Sequence, residues 1–113
     1  MSRQSILAIL ACGGALIAAM PLAWSDEDSY ALTIKDRHFE PAEIAIPAGK
    51  KIQLTVKNLD ATPSEFESTD LNREKVVTAG STITVFIGPL RPGSYEFFDD
   101  FSPETPHGHI VAK

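Results

Sequence analysis

Two glutamates separated by one residue, Glu65 and Glu67, are the side chains in this sequence with the clearest capacity for chemistry. In an extended strand alternate side chains project to the same face, so both carboxylates face one way and Phe66 faces the other. Two like charges at this spacing raise each other's proton affinity, and a divalent cation between them relieves the repulsion. The spacing therefore predicts a cation site. The alternative is that both glutamates point into water beside a short edge strand.

Further candidate ligands lie near the C-terminus, where acidic residues and histidines are close together in the sequence. They are Asp99, Asp100, Glu104 and His107. A strand would direct the adjacent residues Asp99 and Asp100 to opposite faces, so only one of them is expected at the site, and Asp99 is favoured. The alternative for Asp99 is an Asx turn that ends the strand. Glu104 lies on a proline-bounded loop, which makes it a candidate ligand that can move.

The histidines His107 and His109 flank Gly108 and share one face in extended structure, as paired imidazole ligands do. His107 ends the predicted ligand-bearing loop and is predicted to bind metal. His109 lies further into the last strand, where alternate residues face solvent, and its role stays open. His38 is expected to be a surface residue at a strand end. Carboxylates and imidazoles together suit iron, manganese, zinc or Cu(II), and suit Cu(I) poorly.

The first 25 residues have the pattern of a secretory signal peptide. A short start carrying Arg3 precedes an apolar run from Ile6 to Met20, and the small-residue pattern Ala23-Trp24-Ser25 follows. The run is short for a membrane span, and cleavage after Ser25 leaves residues 26–113 with no transmembrane segment expected. A lipid anchor on Cys12 is the weaker alternative, because the apolar run continues well beyond that cysteine.

Residues 26–113 are acidic and contain no cysteine. They carry all 15 acidic residues and nine of the ten basic ones, a net charge of about −6 with neutral histidines. Such a charge repels polyanions, so nucleic acid is excluded as an expected partner. Neither a disulfide nor a nucleophilic thiol is available in this segment. No motif of a serine hydrolase, a phosphate-binding loop or a zinc protease is present, so hydrolase activity is not expected.

Strands rather than helices position these residues, because apolar side chains recur with a period of two and turns rich in Pro and Gly separate the runs. The alternating residues predicted to form the core are Tyr30, Leu32, Ile34, Ile44, Ile46, Ile52, Leu54 and Val56, and the pattern continues through Ile83, Val85, Ile87, Tyr95, Phe97, Ile110 and Val111. The pattern predicts a single all-β sandwich domain of about seven strands over residues 26–113.

Several phrases occur in the order in which the cupredoxins have them. They are Phe39-Glu40-Pro41, Ile46-Pro47-Ala48-Gly49-Lys50, Asn58-Leu59-Asp60, Leu90-Arg91-Pro92-Gly93-Ser94-Tyr95-Glu96-Phe97 and Gly108-His109-Ile110-Val111. The chain resembles that family over essentially all of residues 26–113, which implies a cupredoxin-like Greek-key sandwich. A blue-copper centre needs a thiolate and two imidazoles. Here Glu65 stands at the first histidine position and Asp99 at the cysteine position, while the loop histidine and axial methionine have no counterparts.

These replacements resemble the cupredoxin-like periplasmic components of bacterial ferrous-iron uptake systems. The similarity is carried by Glu65-Phe66-Glu67-Ser68, by residues 70–77 and by Phe98-Asp99-Asp100-Phe101. It implies a periplasmic protein that accepts Fe(II), assists its oxidation with or without copper, and serves an inner-membrane iron permease and other uptake components. Two positions depart from the pattern: Ser102, where relatives tend to have histidine, and His107, where they have a neutral residue.

Three functions fit the sequence. The first is a metal-binding ferroxidase or an iron-handling accessory for a permease. It predicts that Glu65, Glu67, Asp99 and His107 converge within ligand distance of one another. The second is a non-catalytic chaperone or sensor for copper or iron that uses the same site. The third is a metal-free sandwich that binds a protein partner through an exposed apolar patch.

Overall fold

The computed structural model describes residues 28–113, so the predicted signal peptide and Cys12 lie outside the described residues. Nine strands occur in this part of the chain: β1 (Ser29–Lys35), β2 (His38–Glu40), β3 (Glu43–Ile46), β4 (Ile52–Asn58), β5 (Ser64–Ser68), β6 (Arg73–Val77), β7 (Thr82–Ile87), β8 (Gly93–Asp99) and β9 (Gly108–Ala112). The number exceeds the predicted seven partly because the chain around Pro41 contributes two short strands. Proline lacks an amide hydrogen and ends β2, and the chain then enters the other sheet as β3.

The strands form two sheets. One has the order β3-β9-β8-β5-β6 and the other the order β2-β1-β4-β7. Two neighbouring pairs, β3 with β9 and β1 with β4, are parallel, and the other pairs are antiparallel. The predicted all-β sandwich is confirmed. Within residues 28–113 no helix is long and apolar enough to cross a membrane.

The core lies between the two sheets and follows the predicted alternation. The predicted residues that are buried are Leu32, Ile34, Ile44, Ile46, Ile52, Leu54, Val56, Val85, Ile87, Phe97 and Ile110. Tyr30, Ile83 and Tyr95 are partly buried and pack against them. Val111, the last residue of the predicted apolar pattern, is only partly buried, because its neighbours Ile110 and Ala112 are the residues of β9 that point inward.

An aromatic cluster supports the strands that carry the candidate ligands. The ring of Phe97 on β8 meets Phe39 edge-on at a centroid distance of 4.9 Å and Phe66 on β5 at 5.3 Å. Phe66 and Phe97 are fully buried. Offset and edge-to-face contacts of this kind add to the burial of the rings themselves. The cluster therefore fixes which face of β5 and β8 points inward, and with it which residues point out.

A buried asparagine sets the start of β5. Asn58 ends β4, and its Nδ2 donates to the carbonyls of Thr62 at 2.9 Å and Val77 at 3.0 Å. Its Oδ1 accepts from the amide of Asp60 at 2.9 Å. These bonds hold the β4–β5 loop against the end of β6. The loop therefore delivers Ser64 and Glu65 to a defined position beside β6.

The β1–β2 hairpin turns through two residues in the left-handed region, Asp36 at φ 52° and Arg37 at φ 63°. The carboxylate of Asp60 accepts from both of their amides, at 2.7 and 2.9 Å. Turns with positive φ at both central residues favour glycine, because a Cβ costs about 1–2 kcal/mol there. The Asp60 contacts help to hold a turn that this sequence would otherwise adopt poorly.

Arg37→Gly is expected to raise the free energy of unfolding by about 0.5–1 kcal/mol, after the extra flexibility of glycine in the unfolded chain is subtracted. The exposed ion pair of Arg37 with Glu104, at 3.9 Å, contributes little to that balance. Urea denaturation of the purified protein measures the change. Arg37→Ala is the matched control, since it removes the charge and keeps the strain. Equal stabilisation by alanine would contradict the account.

Candidate metal centre

Three carboxylates meet on the outer face of the five-stranded sheet. Phe66 is fully buried, so Glu65 and Glu67 on either side of it project away from the core. One oxygen each from Glu65, Glu67 and Asp100 lies within 4.8 Å of the others. We call this set the carboxylate cluster. Among residues 28–113 it is the only group of three or more Asp, Glu, His or Cys side chains with ligand atoms this close.

The predicted same-side arrangement of Glu65 and Glu67 is confirmed by this geometry, and the alternative that both point into open water is not what the structure has. Glu65 is only 8% exposed and Glu67 is half-buried. Buried acidic side chains without a partner are rare, because removing a carboxylate from water is costly. None of the ion pairs in the described part of the chain includes a member of the cluster.

A fourth acidic residue, Glu74, borders the carboxylate cluster from β6, where it pairs directly with Glu67. Burial raises the pKa of the Glu65 carboxyl from its ordinary 4.5 to about 7, and the hydrogen bond and charge of Glu74 act in the same direction, as do Glu67 and Asp100. Loss of water contact also raises the pKa of Glu67, with further contributions from Asp100 and Glu74. The cluster therefore holds excess negative charge that a proton or a cation relieves.

Asp99 does not reach the cluster. It pairs with Phe66 across β8 and β5, is 2% exposed, and its Oδ1 accepts from the amides of Glu65 at 2.9 Å and Phe101 at 3.0 Å. The second contact is the Asx turn that the sequence left as an alternative. Asp100 donates its amide to the Glu65 carbonyl at 3.1 Å. The structure thus brings Asp100, and not the favoured Asp99, to the two glutamates.

The remaining predicted ligands lie elsewhere. Glu104 is exposed on the β8–β9 loop, 3.9 Å from Arg37. His107 has its Nδ1 at 2.9 Å from an oxygen of Glu96, and its ring stacks on Phe98 at 5.2 Å. The expected convergence of Glu65, Glu67, Asp99 and His107 is therefore not found, since only the two glutamates share a cluster.

His38 lies at an exposed strand end, as expected, with its Nδ1 at 2.7 Å from the Asp36 carbonyl. Sequence reasoning missed Glu74 and Glu96. The four-residue loop between β5 and β6 was the signal for Glu74, because an antiparallel hairpin over residues 69–72 pairs it with Glu67. No local pattern marked Glu96, which depends on how β8 pairs with β9.

The carboxylate cluster is accessible from solvent. A groove of about 340 Å³ beside it is lined by Glu67, Ser68, Thr69, Asn72, Arg73 and Glu74. Its volume exceeds the roughly 30 Å³ that one water molecule occupies in the liquid. Water can therefore reach Glu67 along the groove.

Comparison with known proteins places this sandwich in a family. The family model for the cupredoxin-like domain matches residues 6–112. The chain belongs to the cupredoxin-like domain family. A relative, the uncharacterized protein RP394 of Rickettsia prowazekii (strain Madrid E), is 45% identical over 80 residues, which are 71% of this chain and 64% of the relative. This cupredoxin-like chain thus spans a little under two thirds of that relative's length.

Solved cupredoxins share the fold at low sequence identity. A purple cupredoxin from Nitrosopumilus maritimus is 18% identical with a TM-score of 0.58, over 74% of this chain and 99% of its own. Reduced auracyanin from Roseiflexus castenholzii is 15% identical with a TM-score of 0.62, over 76% of this chain and 97% of its own. At these identities the similarity shows the fold alone.

The donors of this cupredoxin-like domain do not fit a type 1 copper centre. Such a centre requires a cysteine thiolate, and the only cysteine of the sequence, Cys12, lies outside residues 28–113. The residue at the predicted thiolate position, Asp99, uses a carboxylate oxygen to accept two backbone amides. Its role in the described structure is to close the turn after β8.

The carboxylate cluster predicts a pH dependence of stability. Because the pKa of Glu65 is higher in the folded state than its ordinary value of 4.5, its protonation stabilises the fold fully below pH 4.5. That contribution is lost as the pH rises through about 7. At pH 8, Glu65→Gln is expected to melt about 5 °C higher than the natural protein, corresponding to about 1 kcal/mol after allowance for solvent screening.

Thermal melts from pH 4 to pH 8 in a metal chelator measure this effect, with Glu40→Gln on β2 as the charge-matched control. The difference between Glu65→Gln and the natural protein is expected to grow with pH, and the control is expected to follow the natural protein. A constant difference across the range would exclude the titration of Glu65 as its source.

Proposed function

We propose that this cupredoxin-like protein binds Fe(II) at the carboxylate cluster in the periplasm and assists its oxidation to Fe(III) for an inner-membrane iron permease. The observation that carries the proposal is the set of three carboxylate oxygens within 4.8 Å of one another, without a cationic partner in the described ion pairs. Carboxylates are hard ligands and suit hard or borderline cations.

The ligand chemistry favours the oxidised ion. Fe(III) is harder than Fe(II), so an all-oxygen donor set stabilises it more strongly and lowers the reduction potential of the bound iron. Each iron gives up one electron, and the electron goes to dioxygen or to a separate Cu(II). The protein's own contribution is to hold the iron and to bias the equilibrium. Iron is the substrate in this reaction, and copper is needed only if it serves as the acceptor.

The three ligands differ in how firmly the fold holds them. Glu65 and Glu67 are carried by β5, which has strand partners on both sides. Asp100 follows the end of β8, in a turn. Two fixed ligands and one on a turn form a site that can adjust to ions of different charge. Such an arrangement suits a protein that must also release the ion.

Two features support the transport partner. The resemblance to periplasmic components of ferrous-iron uptake systems supplies the permease as the receiving protein. Phe101, next to Asp100, is 50% exposed and gives the site an apolar edge for contact with another protein.

The net charge of the region after residue 25, about −6, draws cations toward the domain.

The test is aerobic Fe(II) oxidation by the purified protein, metal-free and after loading with one equivalent of Cu(II). Buffer with matched free copper is the baseline, and Glu65→Gln/Glu67→Gln is the variant that removes two ligands. Oxidation faster than the baseline, and lost in the variant, is the expected result. Fe(II) binding without acceleration would reduce the function to a metal carrier. Absence of both binding and acceleration would overturn the proposal.

A further inference from the structure

We propose that the outer face of the same sheet holds a second cation site, formed by His107, His109 and Glu96 and suited to a borderline divalent cation such as Zn(II) or Cu(II). We call it the histidine site. Its donors are two imidazoles and one carboxylate, a set that these ions prefer. It does not depend on the proposed iron chemistry, because it shares no residue with the carboxylate cluster.

The backbone fixes the direction of both histidines. Gly108 pairs with the fully buried Phe97, and a Cβ at Gly108 would clash with the Phe97 ring. Position 108 therefore points into the core and tolerates no side chain. Successive residues of extended chain point to opposite faces, so His107 and His109 both point outward. The motif His-Gly-His thus presents two imidazoles on one face. The central residue is glycine because the Phe97 ring leaves no room for a side chain at position 108.

The register of β8 and β9 supplies the carboxylate. His109 is directly opposite Glu96 in the antiparallel pair, and its other neighbour across β3 is Glu43. Directly opposed residues have Cβ atoms about 4.5–5.5 Å apart. The Nδ1 of His107 already lies 2.9 Å from Oε2 of Glu96. Rotation of the His109 side chain is the movement that completes the set.

The Nδ1 of His107 and Oε2 of Glu96, 2.9 Å apart, are close enough to be neighbouring ligands of one ion. Two donors that each lie about 2.0–2.1 Å from a tetrahedral Zn(II) are roughly 3.3 Å apart, and two donors at the right angle of a tetragonal Cu(II) are roughly 3 Å apart. A cation would therefore replace the hydrogen bond after a rotation of the imidazole or the carboxylate that directs both lone pairs at the ion. The Phe98 ring stacked on His107 at 5.2 Å holds the imidazole in place.

Phe98 also separates the histidine site from the carboxylate cluster. On β5 its neighbour is Glu67, and on the opposite side it stacks on His107. The two sites thus lie on adjacent parts of one face with an aromatic ring between them. They differ in chemistry, since one offers only oxygen and the other offers nitrogen as well. That difference allows a spectroscopic test.

The test uses electron paramagnetic resonance of Cu(II) added at one equivalent to tag-free Glu65→Gln/Glu67→Gln protein. Coupling to two imidazole nitrogens is expected. His107→Ala and His109→Ala are each expected to remove the coupling to one nitrogen and to weaken Cu(II) binding at least 10-fold. Glu96→Gln is expected to weaken Cu(II) binding while the coupling to both nitrogens remains. His38→Ala is the control, because His38 is the only other histidine in the sequence.

Unchanged spectra in both His107→Ala and His109→Ala would overturn the proposal. So would a loss of nitrogen coupling in His38→Ala, or its absence in the parent protein. Circular dichroism of each variant confirms that the sandwich is intact. Because the parent lacks two residues of the carboxylate cluster, a failure here leaves the proposed iron function untouched, and a failure of iron oxidation leaves the histidine site untouched.

Discussion

Replacing Glu65 and Glu67 together by glutamine is expected to weaken Fe(II) binding by at least about 100-fold. Removal of a group that merely orients a metal ligand costs 10–100-fold in affinity as a rule, so the loss of two of the three direct donors costs more. The change also removes like charges from a partly buried face, so the metal-free variant should be no less stable than the natural protein. Anaerobic calorimetry with Fe(II), repeated with Mn(II), measures the effect.

Glu40→Gln/Glu104→Gln is the matched control, because it removes the same two charges from exposed positions outside the carboxylate cluster. It is expected to bind Fe(II) as the natural protein does. The control also decides whether Glu104, predicted from the sequence as a ligand that can move, takes part in binding. Equal weakening in both double variants would show that overall charge, and not the cluster, attracts the ion.

Gly108→Ala is expected to destabilise the fold by about 3 kcal/mol, at the upper end of the range for an overpacked core. The new Cβ would clash with the Phe97 ring and would lie 3.0 Å from the Ala42 carbonyl oxygen. Phe97 cannot move aside freely, because Phe39 and Phe66 both pack against its ring. Urea denaturation monitored by circular dichroism gives the free energy of unfolding directly.

A double-mutant cycle with Phe97→Leu separates this clash from other effects of alanine. In the Phe97→Leu background the added methyl group has room, so Gly108→Ala is expected to cost at least about 1 kcal/mol less than in the natural protein. Strictly additive costs would mean that the ring and residue 108 do not compete for space. The inward direction of residue 108, and the outward direction of His107 and His109, would then lose their basis.

The fold was predictable because the information for it is local. Alternation in β1, β4 and β7 marks the core residues without any knowledge of strand pairing. Ile110, Val111 and Ala112 form a continuous apolar run, in which periodicity does not show that Ile110 and Ala112 point inward and Val111 does not. The short strand β2 (His38–Glu40) also escaped the sequence pattern, since three residues are too few to show an alternation, whereas Ile44 and Ile46 of β3 belonged to it.

The candidate site was predictable only in part, because only some of its residues are brought together by local sequence spacing. The pair Glu65 and Glu67 follows from a spacing of two within one strand. The arrival of Asp100 depends on β8 pairing with β5 and on the turn that Asp99 closes. Glu74 and Glu96 depend on hairpin registers, which a one-residue shift would reverse. The alignment of Asp99 with the cysteine position of the cupredoxins did not predict its role, because its carboxylate accepts hydrogen bonds from the backbone amides of Glu65 and Phe101.

Glu65 and Glu67 project from a strand whose other side belongs to a core that is complete by itself. No member of the carboxylate cluster is among the apolar residues that join the two sheets. We therefore expect chelators to strip the ion without melting the protein, unlike small domains whose folding requires their metal. Under the proposed function, the fold would therefore be complete before iron binds. The protein would then bind and release iron repeatedly, with no refolding between rounds.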